Sequence, residues 1–458
     1  MDTKNPVPTL AECLAAAGET KEMRIKKDCL AEIPAMLEQF EGCRSVFLAA
    51  DGNTWEAAGK SARERLDGAG IPVTGTLIFP AEPRLHADYA HIRTLVEKMS
   101  PGKDRGQIPV AIGSGTINDL VKRGAFELGL PYLCVPSAAS VDGYTAFGAA
   151  ILREGFKQTL PCAAPLAVAA DTGVLAGAPA YLSSSGFGDL ASKITAGSDW
   201  IIADRAKRQG APGTDAMDDT VWAMTQHGLR DYLRRSVTAA RGDADAVNAL
   251  FEALAITGFS MQYFKTSRPV SGTEHLFSHV WEMEDLSANG IPVTHGHKVT
   301  IGTLVCTAFT EIFFADPEGP PPPPRDYRRP GAPERRAEVS AAFRLSRARD
   351  GVVKTALEKL ADKKTAAAVT GDLRAAWKDL RGKVLDQLLP YGELRALLKA
   401  AGCPLKPEDI NLTRQYAIAT ARRAQMIRNK YTVLDLAWDT GCFETVLARM
   451  EASDLYLW

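Results

Sequence analysis

Between Ser45 and Ser137, short apolar runs alternate with stretches whose apolar residues recur every three or four positions. Ser45–Asp51 (SVFLAAD) is an apolar run ending in an acid, and 53–70 then carries a helical period closed by glycine. The stretch 71–79 (IPVTGTLIF) reads as a strand and 89–99 (YAHIRTLVEKM) as a helix. Residues 108–115 (IPVAIGSG) run apolar into glycine, 116–129 (TINDLVKRGAFELG) are helical, and 130–137 (LPYLCVPS) read as the next strand. Strands separated by helices of this length predict βαβ units and a parallel sheet.

From about Leu182 the strand period fades. The stretches 223–237, 245–264, 339–350, 373–389 and 415–438 each read as helix. The expected architecture is therefore an α/β, Rossmann-like domain over 1–180, followed by an all-α domain over 181–458. The active site is expected in the cleft between them. The run 316–336 (DPEGPPPPPRDYRRPGAPERR) contains five successive prolines, which lack amide donors. It is expected to be an exposed loop within the helical half.

Composition narrows the function class. The chain has 458 residues, 46% of them hydrophobic, and a formal net charge of −1. No basic field draws it to nucleic acid or to an anionic membrane. No run of about 18 apolar residues suggests a membrane span. The first twenty residues lack the charged-then-apolar layout of a signal peptide, so the cytoplasm is the expected location. Eight cysteines are scattered with no CxxC pair and mostly flank apolar residues, as buried thiols do rather than disulfides.

Three places carry candidate chemistry. In VAIGSGTINDL (110–120), Gly113 and Gly115 follow a strand and open a helix, where backbone N–H groups can approach a phosphate. The pattern is not GxGxxG, because Asn118 stands where the third glycine would. One strand later, VPSAASVDGYTAFG (135–148) is rich in small and hydroxyl residues and contains Asp142; loops at the carboxyl ends of parallel strands meet ligands. The third place is 272–299 (GTEHLFSHVWEMEDLSANGIPVTHGHKV), which holds four of the seven histidines: His275, His279, His295 and His297. Ser271 and Glu274 fit a capping box, so a helix is expected to start near Ser271 and to carry His275 and His279 on one face. A turn then returns His295 to the chain before another helix. A metal site is one reading of this cluster; a polar surface cluster is the other. In SSSGFGDLASKI (183–194), Asp189 offers a carboxylate at an expected helix start, with Lys193 four residues on.

GSGTINDLVK, VPSAASVDG, SGFGDLASK, SGTEHLFSH and THGHKV occur in that order. Together they resemble the sn-glycerol-1-phosphate dehydrogenase family. That family belongs to the superfamily of iron-containing alcohol dehydrogenases, glycerol dehydrogenase and dehydroquinate synthase. The resemblance runs from about Val46 to Leu304, and IRNKYTVLDLAWDTG (427–441) is similar to the family's longer members. It implies reduction of dihydroxyacetone phosphate to sn-glycerol 1-phosphate with NADH or NADPH. It implies one divalent metal held by Asp189, His275 and His295; zinc is expected, and iron or nickel also suits N₂O ligation. The implied substrate contacts are Asp142, Asp189 and His279. The implied cofactor contacts are Asp51, then Gly113, Ser114, Gly115, Thr116 and Ile117, then Ser137, Ala138, Ala139 and Ser140. Ala146 stands where the family commonly has a cofactor-contacting serine. For the substrate phosphate, Lys193 and Arg268 flank the metal motifs and are the candidate cations. His297 is expected to be a solvated neighbour without a role. The resemblance and the helical faces suggest a homodimer or larger. The rival expectations are a glycerol or other polyol dehydrogenase of the same superfamily, a lyase that uses NAD transiently, and a non-catalytic scaffold.

Overall fold

The computed structural model describes residues 6–153 and 156–456; the first five residues of the amino-terminal stretch lie outside the described residues. The chain forms two compact units. One comprises 1–190 with 223–266, the other 191–222 with 267–458. Instead of one boundary at 180, the chain returns to the first unit for 223–266. The cause is the helix Ala244–Phe264, which is apolar nearly all round and so must be buried. It closes on the first unit through Thr145 Oγ1, which donates to the Ala255 carbonyl at 2.8 Å, and through Gln262 Nε2, which donates to Thr20 Oγ1 at 2.8 Å.

The first unit is built on β1 (Glu22–Lys26), β2 (Ser45–Asp51), β3 (Val73–Phe79), β4 (Gln107–Gly113), β5 (Leu133–Pro136) and β8 (Ala167–Asp171). They form one sheet in the order β1-β8-β5-β4-β2-β3, with every pairing parallel. Strands β4, β5 and β8 are buried at every position, and β2 at all but Asp51, as strands covered on both faces are. The edge strand β3 alternates between half-buried and exposed positions up to Phe79, which is buried. Strands β6 (Ala149–Arg153) and β7 (Phe156–Leu160) form a separate antiparallel hairpin. The sequence pattern missed β1, β8 and this hairpin. β1 is a polar edge strand, and AVAAD in β8 is too short and alanine-rich to show a period.

The second unit is helical, as expected. Two of its helices, Thr273–Met283 and His295–Phe313, are joined through a two-stranded hairpin whose turn holds Asn289 and Gly290 at positive φ. These helices approach closely because Gly302 has no side chain: a Cβ there would lie 2.3 Å from the Glu274 carbonyl oxygen.

Four stretches read as single helices are broken. The 223–237 stretch is a π-helical turn over Ala223–His227, then a separate helix Leu229–Ser236 with Gly228 at its N-cap. The 339–350 stretch ends one helix at Ala342 and begins another at Arg349. The 373–389 stretch breaks at Ala376, beside Trp377, whose indole N–H donates to the Asp316 carbonyl. The 415–438 stretch ends a helix at Ala424 and resumes at Val433 under a capping box of Thr432 and Asp435. The Pro-rich loop is extended and mostly exposed but tethered: Tyr327 donates to the Trp438 carbonyl and Arg329 pairs with Asp439 at 2.8 Å. Its last residues differ from expectation, because a helix begins at Ala332 with proline in its first turn, where the missing N–H costs nothing.

Candidate active site

In the first unit, the carboxyl ends of β2, β4 and β5 bring together three of the expected cofactor segments. Asp51 ends β2 and caps the next helical turn, its Oδ1 accepting from the Thr54 amide at 2.9 Å. Gly113 ends β4, and the helix Gly115–Leu128 starts one residue later, with Ser114 at its N-cap. No side chain of the N-cap closes that helix start; the Gly115 amide meets the Tyr144 hydroxyl, and the helix N-terminus favours an anion. The Ser137 amide donates to the Gly113 carbonyl at 3.0 Å, which ties the 137–140 loop to the glycine turn.

Asn118, in place of a third glycine, has a structural task. Its amide donates to the Gly143 and Tyr144 carbonyls, and its oxygen accepts from Tyr132. Lys122, one turn on and 1% exposed, donates to the Gly143, Ala146 and Gly148 carbonyls at 2.8, 2.8 and 3.2 Å. The helix that starts at the glycine turn therefore also fixes the loop that carries Asp142.

Asp189 is not at a helix start. It lies in the last turn of the helix Ala180–Ala191, so the dipole-complementing role of a first-turn acid does not apply. It is fully buried, and its Oδ2 accepts from the Asp142 amide at 3.0 Å. Gly186 makes this possible, since a Cβ there would sit 2.0 Å from the Ala139 carbonyl oxygen. The 137–142 loop thus lies directly on the helix that carries Asp189.

In the second unit, His275, His279 and His295 form a compact triangle. Ring centroids are 5.4 Å apart for His275–His295, 6.2 Å for His275–His279 and 6.4 Å for His279–His295. The expected cap is different in detail. The helix starts at Thr273 with Gly272, not Ser271, at its N-cap. Glu274 reaches back to the Gly272 amide at 2.6 Å, and the same Oε1 lies 2.8 Å from His275 Nδ1. His295 opens its own helix, and its Nδ1 lies 2.7 Å from Glu282 Oε1. Burial and the positive charge of Arg428 hold the His279 imidazole well below its ordinary pKa, so it is neutral near pH 7. His297 is half-buried rather than solvated, and burial pushes its pKa down to about 4.

Beneath the histidines lies a second acidic cluster: Asp199, Glu274 and Cys306, all fully buried, with ligand atoms within 4.8 Å of one another. Its donors are already committed. Asp199 accepts from the Thr273 and Val433 amides at 2.6 and 2.7 Å, and Glu274 Oε2 accepts from Thr195 Oγ1 at 2.9 Å. Burial pushes the Cys306 thiol far above its ordinary value, which disfavours the thiolate a metal needs. The cluster is a hydrogen-bonded support for the start of the Thr273–Met283 helix.

The two candidate phosphate cations are deeply placed. Lys193 is 0% exposed and Arg268 1% exposed, with the Arg268 guanidinium directed at the Tyr431 and Gly213 carbonyls and 3.7 Å from Asp215. Sequence reasoning passed over Arg428. It sits in the break between helices, where Trp281 is bonded to Thr420 on one side and Lys430 to Ser271 on the other. Its guanidinium is half-buried, acts electrostatically on His279 and Glu282, and makes no side-chain hydrogen bond or ion pair among the described residues. Reading 415–438 as one helix hid it; the unbroken pattern gave no reason to aim Arg428 inward. Glu274 and Glu282 were missed because a carboxylate beside a histidine is indistinguishable, in sequence, from a solvated helix face.

The parallel sheet with loops at its carboxyl ends, followed by a helical unit bearing histidines, is the architecture expected of the iron-containing alcohol dehydrogenase class. The family model "iron-containing alcohol dehydrogenase" matches residues 24–179. Glycerol-1-phosphate dehydrogenase [NAD(P)+] from Bacillus velezensis is 30% identical over 388 residues, covering 84% of this chain and 83% of that protein. The protein of the same name from Halalkalibacterium halodurans is 32% identical, covering 63% and 70%. This chain belongs to the glycerol-1-phosphate dehydrogenase family. Solved structures agree on the fold. A probable glycerol dehydrogenase from Sinorhizobium meliloti superposes with a TM-score of 0.58 at 15% identity, covering 95% of this chain and 98% of that one. A sulfoacetaldehyde reductase from Bifidobacterium kashiwanohense in complex with NAD+ gives 0.55 at 16% identity, covering 94% and 98%.

Proposed function

We propose that this protein catalyses NAD(P)H-dependent reduction of dihydroxyacetone phosphate to sn-glycerol 1-phosphate, with a divalent metal held by Asp189, His275 and His295. The observation that carries this reading is the paired imidazoles of His275 and His295, each with Nδ1 against a buried carboxylate. Nε2 is then the ligand atom of each ring, to which the buried Asp189 adds an oxygen. Two neutral imidazoles and one carboxylate fit zinc, iron or nickel and leave the site's charge near +1. When bound, such an ion acts as a Lewis acid toward the substrate carbonyl.

The chain's own residues have separate tasks in this reading. The amides after Ser114, with the 137–140 loop, hold the cofactor pyrophosphate, and Asp51 meets its ribose. A carboxylate there repels a 2′-phosphate, which favours NADH over NADPH. Asp142 accepts from a substrate hydroxyl. Neutral His279 hydrogen-bonds the substrate oxygen that gains a proton. Arg428, with side-chain donors uncommitted among the described residues, receives the substrate phosphate in preference to the buried Lys193 and Arg268.

Among the described residues no helix is long and apolar enough to cross a membrane. A cytoplasmic homo-oligomer acting on a small phosphorylated triose is the accompanying proposal. The test is a spectrophotometric assay with dihydroxyacetone phosphate and each cofactor, before and after chelation, with chiral analysis of the product. Turnover of dihydroxyacetone equal to that of its phosphate overturns the substrate assignment. Activity untouched by complete metal removal overturns the metal assignment.

A further inference from the structure

We propose that Glu274 and Glu282 are positioning residues that lock the ring tautomers of His275 and His295, so that both present Nε2 to the metal. The inference rests on the metal reading above and extends it to two residues that touch neither substrate nor cofactor.

A neutral imidazole carries one hydrogen, and which nitrogen bears it decides which nitrogen can bind a cation. An ionised carboxylate only accepts hydrogen bonds. Glu274 Oε1 lies 2.8 Å from His275 Nδ1, and Glu282 Oε1 lies 2.7 Å from His295 Nδ1. In each ring, when neutral, the hydrogen therefore sits on Nδ1 and the lone pair on Nε2. The carboxylates are themselves fixed. Glu274 is 0% exposed and held by the Gly272 amide and Thr195 Oγ1. The Glu282 side chain is 5% exposed and lies 3.5 Å from Lys298 Nζ, with Ser278 Oγ 3.4 Å from its Oε1.

Both carboxylates come from one helix, eight residues apart, yet they serve rings on two different helices. One rigid element thus sets both ligands. His279 is the internal control. It lies on the same helix and in the same triangle, but its Nδ1 is buried with no hydrogen-bond partner among the described residues, so no carboxylate fixes its tautomer. The two rings expected to bind metal carry a carboxylate, and the one expected to meet substrate does not. Partners of this kind typically change metal affinity by roughly 10–100-fold when removed.

The experiment uses the full-length protein stripped of metal, with ¹⁵N NMR of the imidazole nitrogens and titration with Zn²⁺ or Co²⁺. In the wild type, the His275 and His295 rings should show a protonated Nδ1 and, on titration, metal at Nε2, and His279 a mixed population. Glu282→Ala should mix the His295 tautomers and weaken metal binding about 10–100-fold. Glu282→Gln keeps an acceptor oxygen and should restore the tautomer and most of the affinity. If Glu282→Ala leaves both unchanged, the proposal is overturned. Glu274→Ala and Glu274→Gln are read the same way at His275, with circular dichroism to confirm folding. If the wild type binds no divalent ion while its tautomers are fixed as stated, the metal reading fails and the positioning of the rings stands.

Discussion

The backbone N–H of Asp142 donates to the carboxylate of Asp189 across 3.0 Å. These residues are 47 apart in sequence, and the bond joins the loop after β5 to the helix that ends near Ala191. It forms only because Gly186 lets the Ala139 carbonyl lie on the helix. Gly186→Ala should therefore push the 137–142 loop away. We expect a loss of about 1–3 kcal/mol in stability, as overpacking costs, and at least a tenfold weaker NADH affinity. Thermal melts and a fluorescence titration of NADH measure both. Unchanged NADH binding in a folded variant would show that this loop does not hold the cofactor.

His295→Ala removes one proposed ligand at the first residue of its helix, where the fold makes little demand on it. The variant should stay folded, lose stoichiometric metal and lose nearly all turnover. Asp189→Asn should do likewise. Elemental analysis after dialysis, with circular dichroism as the fold control, decides the matter. A full complement of metal in His295→Ala would remove this histidine from the ligand set.

Arg428 and the two buried cations make opposite predictions. Arg428→Gln should raise KM for dihydroxyacetone phosphate roughly 10–100-fold, the range of a hydrogen bond to a charged group. It should leave turnover of unphosphorylated dihydroxyacetone nearly unaltered. Arg268→Gln should instead lower the melting temperature, because the Tyr431 and Gly213 carbonyls lose a buried partner. Steady-state kinetics on both substrates gives the answer. Equal effects of Arg428→Gln on both substrates would rule out a phosphate contact.

Legibility in the sequence followed periodicity and local spacing. The order of β2 to β5 and the glycine turn could be read directly, because a fully buried strand is an apolar run and a strand-to-helix turn needs small residues. The four-residue spacing of His275 and His279 placed them on one face, as the structure has them. What escaped depends on tertiary partners. Asp189 looks like a first-turn acid beside Gly186 and Gly188, yet the helix runs through both glycines. Gly186 is there for close approach, and Asp189 lies in the helix's last turn. Lys193, Arg268 and Arg428 are equal as letters; only packing shows which guanidinium is committed to carbonyls. The break that frees Arg428 has no sequence mark beyond Thr432 and Asp435, whose capping box sits inside an otherwise helical pattern.

Asp199 should make stability depend on pH in a direction opposite to that of most carboxylates. Burial, with the nearby charge of Glu274, pushes its pKa up to about 7 from an ordinary value of 3.8. The folded state therefore holds this proton between about pH 4 and 7, while the unfolded chain has released it. Stability from this group is fully present below pH 4 and is lost as pH rises through 7. Each tenfold change in proton affinity is worth about 1.4 kcal/mol, so the cost at pH 8 is on the order of a few kcal/mol. Other groups, His279, Lys359, His297 and Lys430 among them, act in the reverse sense. His297, pushed down to about 4, loses stability as pH falls below 6.5, and burial lowers Lys430 to about 7, so it loses stability as pH falls from 10.5. A bare pH profile of the wild type mixes these contributions. The difference between wild type and Asp199→Asn separates them, because the asparagine is neutral throughout and the other groups are shared. At pH 5 both side chains are uncharged, and the variant should melt slightly lower, since its amide can accept from only one of the Thr273 and Val433 N–H groups. At pH 8 the wild type carries a buried charge that the variant lacks. The difference in melting temperature should then move by several degrees in favour of Asp199→Asn. A difference that stays constant from pH 5 to pH 8 would show that Asp199 titrates in its ordinary range.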